Sequence, residues 1–170
     1  MRDISLPVFY KATLPPTDGD FDEARDLRKL AERIISGAAA IEELIIDIVS
    51  GTLLVEVKQH RSLVVGSILK SDWCSFAAKR KLLALVVDEF KLLSGKSKTE
   101  LDEALRKVMQ YRNAFAHGSL VHNIDTHELH YFESKPRVSR LDDAYFEELE
   151  RVFQSVWTRL QEMQSAYMAK

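Results

Sequence analysis

The segment Tyr111–Gly118 brings together a guanidinium and an imidazole, the two side-chain groups that metal-free cleavage of RNA requires. Arg112 is followed directly by Asn113 and, after three more residues, by His117. An imidazole can take up or release a proton during a reaction. A guanidinium can bind a phosphate with two parallel hydrogen bonds and stabilise its added negative charge. Since RNA carries its own nucleophile, the 2′-hydroxyl, such a pair needs no nucleophilic side chain.

Four long segments of the chain have apolar residues at helical spacing, and one of them carries this pair. The first helix is predicted from Asp20, with Glu23 completing a capping box, to about Val55. A short helix is expected at His60–Leu69, and Ser75 is expected to cap a second long helix that ends near Gly95. A second capping box, Ser97 with Glu100, predicts the third long helix, which Gly118 should terminate.

Between Gly118 and the last helix, the residue pattern has the period of two that is typical of strands. Leu120–Asn123 and Glu128–Phe132, joined by the turn at 124–126, predict a β-hairpin, and Pro136 is expected to end that region. Asp142 or Asp143 should start the last helix. The predicted fold class is all-α: a bundle of four main helices, with a short helix and a small β-hairpin inserted before the last one.

The length and composition fit one helical domain preceded by an arm. The chain has 170 residues, 46% of them hydrophobic, which is enough for a single full core. Residues 1–19 carry Pro7, Pro15, Pro16 and Gly19 without a helical stripe and predict an N-terminal arm. Residues 20–170 are predicted to form the domain.

The charge is unevenly distributed along the chain. The formal net charge is −2, so the protein lacks the overall basic character that attracts nucleic acid non-specifically. Between Lys58 and Gly118, however, 12 Lys and Arg stand against 6 Asp and Glu. This excess is explained either by ordinary solvated helix faces or by a positive patch that holds a phosphodiester chain. In the second interpretation, Lys79, Arg80 and Lys81 are candidate RNA contacts.

Arg112 occupies an unusual position, because it falls on the apolar stripe formed by Leu101, Leu105, Val108 and Phe115. Arginine is rarely left unpaired in such a place. Either it forms a salt bridge with a carboxylate of the first helix, for which Glu43 and Asp47 are the candidates, or the stripe faces a groove. His117 lies at the helix end, where a helix C-terminus favours the protonated imidazole.

Metal, disulfide and membrane functions find little support. The single cysteine, Cys74, excludes an intramolecular disulfide and a cysteine zinc site, and its neighbours Trp73 and Phe76 suggest a packed thiol. His117, His122, His127 and His130 cluster, but His127 and His130 would point to opposite faces of a strand. We therefore expect no metal site and no cofactor. Met1–Tyr10 does not look like a signal peptide and no apolar run reaches membrane length, so we expect a soluble, cytoplasmic protein.

The residues Arg112-Asn113 and His117-Gly118, at the end of the third long helix of an α-bundle, resemble the motif of the HEPN domain family. That motif is an arginine followed after four to six residues by a histidine, often with Asn beside the Arg. The similarity extends to the rest of the chain only as architecture, and the N-terminal arm does not align with it.

The resemblance implies a metal-independent endoribonuclease of a toxin, phage-defence or RNA-processing system. It implies Arg112 and His117 as the catalytic pair, Asn113 as a supporting residue, RNA as the substrate and a homodimer with two motifs across one cleft. A cognate antitoxin or regulatory protein is a further expected partner. The alternative is a catalytically inactive HEPN-like dimeric regulator or binding module, since some members of the family have lost catalysis.

Overall fold

The computed structural model describes residues 22–54, 58–122, 127–131 and 137–168. This part of the chain is mostly helical, which confirms the all-α prediction. The helices are α1 (Asp22–Leu53), α2 (Lys58–Val64), α3 (Phe76–Glu89), α4 (Gly95–His117) and α5 (Asp143–Met168), and a π-helical turn, Val65–Leu69, continues α2. The predicted arm, residues 1–19, and the predicted N-cap Asp20 lie outside the described residues.

Helix α1 lies at the centre of the packing and contacts α3, α4 and α5. Its predicted apolar stripe is confirmed from Leu30 onward: Leu30, Ile34, Ala38, Ile41, Ile45 and Ile48 are all buried. The predicted stripe of α5 is buried along its whole length, namely Phe146, Leu149, Val152, Phe153, Val156, Leu160 and Met163. Each fully buried side chain of this size contributes roughly 1.5–3 kcal/mol by leaving water, so these two stripes account for much of the stability.

Two of the predicted helix starts are confirmed by side-chain caps. The Ser75 hydroxyl accepts a hydrogen bond from the Ala78 N–H, at 3.3 Å, at the start of α3. The Asp142 carboxylate accepts one from the Tyr145 N–H, at 2.9 Å, at the start of α5. In both cases a short polar side chain satisfies a backbone donor that the first helical turn leaves free.

The end of α3 differs from the prediction, because the helix stops at Glu89 and does not continue to Gly95. The Lys91 N–H donates to the Asp88 carbonyl at 3.3 Å, and the Leu92 N–H donates to the Val87 carbonyl at 3.0 Å. Together with a φ of 52° at Lys91, these bonds form a Schellman motif. Phe90, which follows Val86 at helical spacing, therefore lies beyond the end of the helix and is 44% exposed.

The start of α4 also differs, and the Ser97–Glu100 capping box is wrong. The helix begins at Gly95, and its N-cap Ser94 makes no side-chain capping bond. Glu100 instead accepts a hydrogen bond from Arg159 of α5 at 2.7 Å, and the Ser97 carbonyl accepts a second one from Arg159 at 2.8 Å. Glu100 is thus bound by a charged partner on α5 and does not reach back to the start of its own helix. The helix ends before Gly118 as predicted, but Gly118 has extended backbone and not the left-handed conformation.

Between α4 and α5 the chain forms three strands, β1 (Ser119–His122), β2 (His127–Tyr131) and β3 (Arg137–Arg140), in an antiparallel sheet of order β1-β2-β3. Strand β2 lies against α4. The sequence prediction ended this region at Pro136 and missed β3, because its sequence, Arg-Val-Ser-Arg, has one apolar residue and so gives almost no periodic signal. The connections 123–126 and 132–136 lie outside the described residues. Of the helices described, none has the combined length and apolar character of a membrane span.

The Schellman motif yields a stability prediction at Lys91, whose left-handed backbone crowds its side chain. Replacing Lys91 by glycine should stabilise the protein by about 0.5–1 kcal/mol, since relief of that crowding exceeds the extra entropy that glycine gives the unfolded chain. Urea denaturation of the Lys91→Gly variant should show the gain. The matched control, Lys91→Ala, keeps the Cβ and should show none. Equal stability of both variants would contradict the assigned backbone geometry.

Candidate functional site

The last two turns of α4 carry the residues singled out for chemistry. Arg112 and Asn113 are half-buried, Phe115 is buried and His117 is exposed. The Arg112 Nη1 donates a hydrogen bond to the Asn113 Oδ1 at 3.1 Å. The guanidinium is therefore held by its neighbour at the helix surface, and the imidazole reaches solvent at the helix end.

The pair is separated by helix geometry. Five residues of an α-helix turn through about 500°, so Arg112 and His117 leave the helix about 140° apart and roughly 7.5 Å apart along its axis. Within one chain the two groups thus project from different faces of α4. A single phosphate that contacts both groups would therefore have to bind at the end of the helix. Otherwise one of the two groups must come from another copy of the chain.

Aromatic packing between α4 and the first turn of α5 fixes the position of this helix end. Tyr145 packs edge-on against Tyr111, with ring centroids 5.6 Å apart, and tilted against Phe115, at 6.5 Å. It also packs edge-on against Phe146 at 5.6 Å. Since Tyr145 is in the turn capped by Asp142, the orientation of Arg112 depends on rings from both helices.

Burial also affects the acidity of these two phenols. Removal from water raises the pKa of Tyr145 well above its usual value, and the neighbouring Tyr111 adds to the increase. The pKa of Tyr111 is raised by the same desolvation, while the positive charge of Arg151 lowers it. Both tyrosines therefore stay neutral across the physiological range and act as packing and hydrogen-bonding groups.

The predicted salt bridge of Arg112 with Glu43 or Asp47 is not formed among the described residues. Glu43 pairs with Lys70, whose Nζ lies 2.6 Å from the Glu43 Oε2. Both carboxylates are on exposed positions of α1, whereas the side of α1 that packs in the core carries Ile41 and Ile45. The two carboxylates consequently face away from the core, and the partner described for Arg112 is the neutral side chain of Asn113.

The basic run Lys79–Lys81 does not form a single RNA-facing surface. Lys79 is buried and lies 3.6 Å from Glu42. Arg80 binds Asp102 of α4, with Nη1 3.1 Å from Oδ1 and 3.2 Å from Oδ2. Lys81 alone of the three is exposed. Lys79 therefore cannot contact RNA in this fold, because consecutive helical residues point in different directions.

Nothing among the described residues resembles a metal centre: no group of three or more His, Cys, Asp or Glu is placed to hold an ion. The side chains of His122, His127 and His130 are outside this description. Cys74 is buried as predicted, but its neighbour Trp73 is 69% exposed. The thiol is therefore packed by residues other than that tryptophan.

Sequence reasoning missed Tyr111 and Tyr145 as parts of the site. Tyr111 directly precedes Arg112, and Tyr145 lies three residues after the capping Asp142. These positions beside the motif and the helix start were the only sequence signal that the two aromatic residues belong to the site.

Comparison with family models gave no match, and searches of curated proteins and of solved structures gave no significant match. The site is therefore interpreted from its own residues.

The raised pKa values of Tyr145 and Tyr111 predict late ionisation in the folded protein. Tyr111 and Tyr145 should titrate above the usual value near 10, and Tyr145 should titrate later than Tyr111. Because the folded state holds these protons more tightly than the unfolded state, the associated stability is present below pH 10 and is lost as pH rises further. Ultraviolet titration of phenolate should record a late component that disappears in Tyr145→Phe. Five phenols ionising together at their ordinary pKa in native protein would refute this packing.

Proposed function

We propose that this chain is a metal-independent endoribonuclease of the HEPN type that acts as a homodimer. Arg112 and His117 are the catalytic residues, and Asn113 supports Arg112. RNA as substrate, a cytoplasmic location and a role in defence or RNA processing belong to the same proposal. The four long helices α1, α3, α4 and α5 are taken as the HEPN-like bundle, and the strands between α4 and α5 as an insertion in it.

The observation that carries the proposal is that the hydrogen-bond partner of Arg112 is uncharged. The other half-buried arginines described here are bound by carboxylates, Arg80 by Asp102 and Arg159 by Glu100, whereas the exposed Arg61 donates to the Ser50 hydroxyl. Arg112 is half-buried, yet the partner described for it is the neutral amide of Asn113. An amide orients the guanidinium without neutralising it, so its positive charge remains to attract an anion. A half-buried cation left in this state is typical of a binding site for phosphate or carboxylate.

The reaction follows from the chemistry of RNA. The 2′-oxygen attacks the adjacent phosphorus and forms the new P–O bond, while the bond from phosphorus to the 5′-oxygen of the next nucleotide breaks. One imidazole accepts the proton of the 2′-hydroxyl, and a second imidazole donates a proton to the departing 5′-oxygen. Arg112 stabilises the negative charge that accumulates on the phosphate oxygens. The products are a 2′,3′-cyclic phosphate and a 5′-hydroxyl.

A homodimer supplies what one chain lacks. The reaction uses two proton-transfer groups, and the motif of one chain contains one histidine. A two-fold axis near the end of α4 would bring a second His117 and a second Arg112 to the same cleft. The exposed position of His117 and the divergence of its side chain from Arg112 both favour an arrangement shared between copies.

We expect purified protein to cleave RNA in the presence of EDTA and to leave DNA intact, since DNA lacks the internal nucleophile. The rate should depend on pH as a bell-shaped curve, because one imidazole must start neutral and the other protonated. Arg112→Ala and His117→Ala should each lower cleavage by about 100-fold or more, the usual contribution of such groups. Gel analysis of labelled RNA and end-group mapping of the products provide the measurement.

Thermal melts of the variants distinguish a loss of catalytic activity from a loss of folding. His117 is exposed at a helix end, so His117→Ala should cost at most about 1 kcal/mol of stability. Exposed His60, on α2, offers a matched control, and His60→Ala should retain full cleavage. Cleavage that needs a divalent ion, or equal cleavage of DNA, would exclude the mechanism. Absence of any cleavage by folded protein would favour the alternative of a non-catalytic dimeric regulator.

Sedimentation at micromolar concentration should show a homodimer whose interface includes the C-terminal half of α4. Charge introduced there should dissociate it, so Ala116→Glu, at an exposed position of the last turn, is expected to shift the protein to monomer and to abolish cleavage together. Ala39→Glu, at an exposed position of α1, is the matched control and should leave the dimer intact. A monomeric wild-type protein would remove the dimer and the two-histidine mechanism with it.

A further inference from the structure

Helices α3 and α4 enclose a groove of about 440 Å³, whose lining on α4 runs from Lys98 to Arg106. Apolar side chains of both helices form its floor, Leu83 and Leu105 among them. Four basic residues stand along it, Arg80, Lys81, Lys98 and Arg106, against two acidic ones, Asp102 and Glu103. An apolar floor with cationic edges is suited to a ligand that has both a flat, weakly polar part and an anionic group.

The ion pairs in this groove, termed here the α3–α4 groove, leave positive charge uncompensated. Asp102 is shared between two guanidinium groups, at 3.1 Å from the Arg80 Nη1 and 3.5 Å from the Arg106 Nη2. Lys98 is bound by Asp88, with Nζ 2.6 Å from Oδ2. Lys81 is exposed. Even after Asp88 is added to the acidic residues, the cations remain in excess.

Arg80 adds a second sign of an incomplete site. Its side chain is 14% exposed, and its Nε is buried without a hydrogen-bond partner among the residues described. Buried donors are nearly always satisfied in folded proteins, so an unsatisfied one in a groove wall requires explanation. Because this atom is buried, a bound anion or its accompanying water would supply the missing acceptor once the Arg80 side chain turns toward the groove.

Comparison with the neighbouring grooves shows that this excess is not a general property of the surface. The groove between α4 and α5 is lined by three cations, Lys107, Arg151 and Arg159, and by three acids, Glu100, Glu103 and Glu148. A third groove, along α5, has Arg159 balanced by Glu162. The lining residues of these two grooves carry no net charge. Of the three grooves described, the α3–α4 groove has the cationic excess.

The groove also shares one face of α4 with Arg112. Lys98, Asp102, Leu105, Met109 and Arg112 follow each other at intervals of three and four residues. By helix geometry they lie within about 80° of one another, with Arg112 roughly 21 Å along the axis from Lys98 and roughly 9 Å from Arg106. An extended strand with a phosphate at Arg112 could therefore continue along this face into the groove.

We propose that the α3–α4 groove binds a nucleotide of the RNA strand that flanks the cleaved bond, with its phosphate between Lys81 and Arg106. This inference rests on the proposed function, because the cleavage site at Arg112 determines that the RNA strand runs from there into the groove. The groove acts by holding the substrate, and Lys81 and Arg106 are binding residues that take no part in proton transfer.

The test uses RNA that cannot be cleaved, a single strand with 2′-O-methyl groups, and measures its binding by fluorescence anisotropy over a series of salt concentrations. Lys81→Gln with Arg106→Gln should weaken binding and lower the slope of log affinity against log salt by about 0.7, because the one phosphate held between them on a single strand is left unneutralised. The matched control is Arg28→Gln with Lys96→Gln, which removes the same charge from exposed positions outside the groove. This control should change the slope by much less.

Both altered residues of the groove variant are exposed, so its circular dichroism spectrum and melting curve should match those of the wild type. A groove variant that binds RNA with the same slope as the control would overturn the inference, even if the wild type cleaves RNA. Conversely, a lower slope confined to the groove variant would support it even if the wild type cleaves nothing and the proposed function fails.

A second arm distinguishes the RNA strand from a free nucleotide as the source of the phosphate. Calorimetry with adenosine 5′-monophosphate and with inorganic phosphate measures binding of the isolated group. Weak binding of both, with tighter binding of the longer strand, supports the proposal. Tight binding of the mononucleotide that RNA does not displace would overturn it and assign the groove to a free nucleotide.

Discussion

Burial of the isoleucine stripe of α1 is the interaction on which the other elements depend. Ile34, Ile41, Ile45 and Ile48 have no exposed surface, and α1 contacts each of the other long helices. Because α3, α4 and α5 pack on this one stripe, their relative positions are set by the shape of its side chains. The aromatic contacts of Tyr145 on α5 with Tyr111 and Phe115 on α4 form because both helices pack on the isoleucine stripe of α1.

The repeating pattern of apolar residues was a reliable guide to this core. Every described residue of the predicted α1 and α5 stripes is buried, because a stripe of seven apolar residues has no other way to leave water. The stripe of α4 was also predicted, including the half-buried position of Arg112 between Val108 and Phe115. What the sequence predicts well is thus the direction in which a helix faces.

Helix ends and charged partners were predicted less well, and for a physical reason. The helix α3 ends where Lys91 adopts a left-handed conformation, which is most common for glycine. The sequence therefore predicted the helix end near Gly95. Glu100 has the spacing of a cap, but an arginine 59 residues further along the chain binds it more strongly. Glu43 binds Lys70 and Lys79 lies beside Glu42, although each had another role in the prediction. Such pairings depend on contacts that only the folded chain creates.

The difference between Arg80 and Arg112 follows from these pairings and has a consequence for function. Arg80 meets a carboxylate across the α3–α4 interface, which joins the two helices and offsets part of its charge. Arg112 lies on the same helix as that carboxylate, but it is held by the amide of its own neighbour. An arginine bound in this way adds little to the joining of helices, since its partner is adjacent in sequence. Its half-buried charge has no carboxylate partner among the described residues, and this imbalance is the physical basis for the proposal that the end of α4 binds an anion.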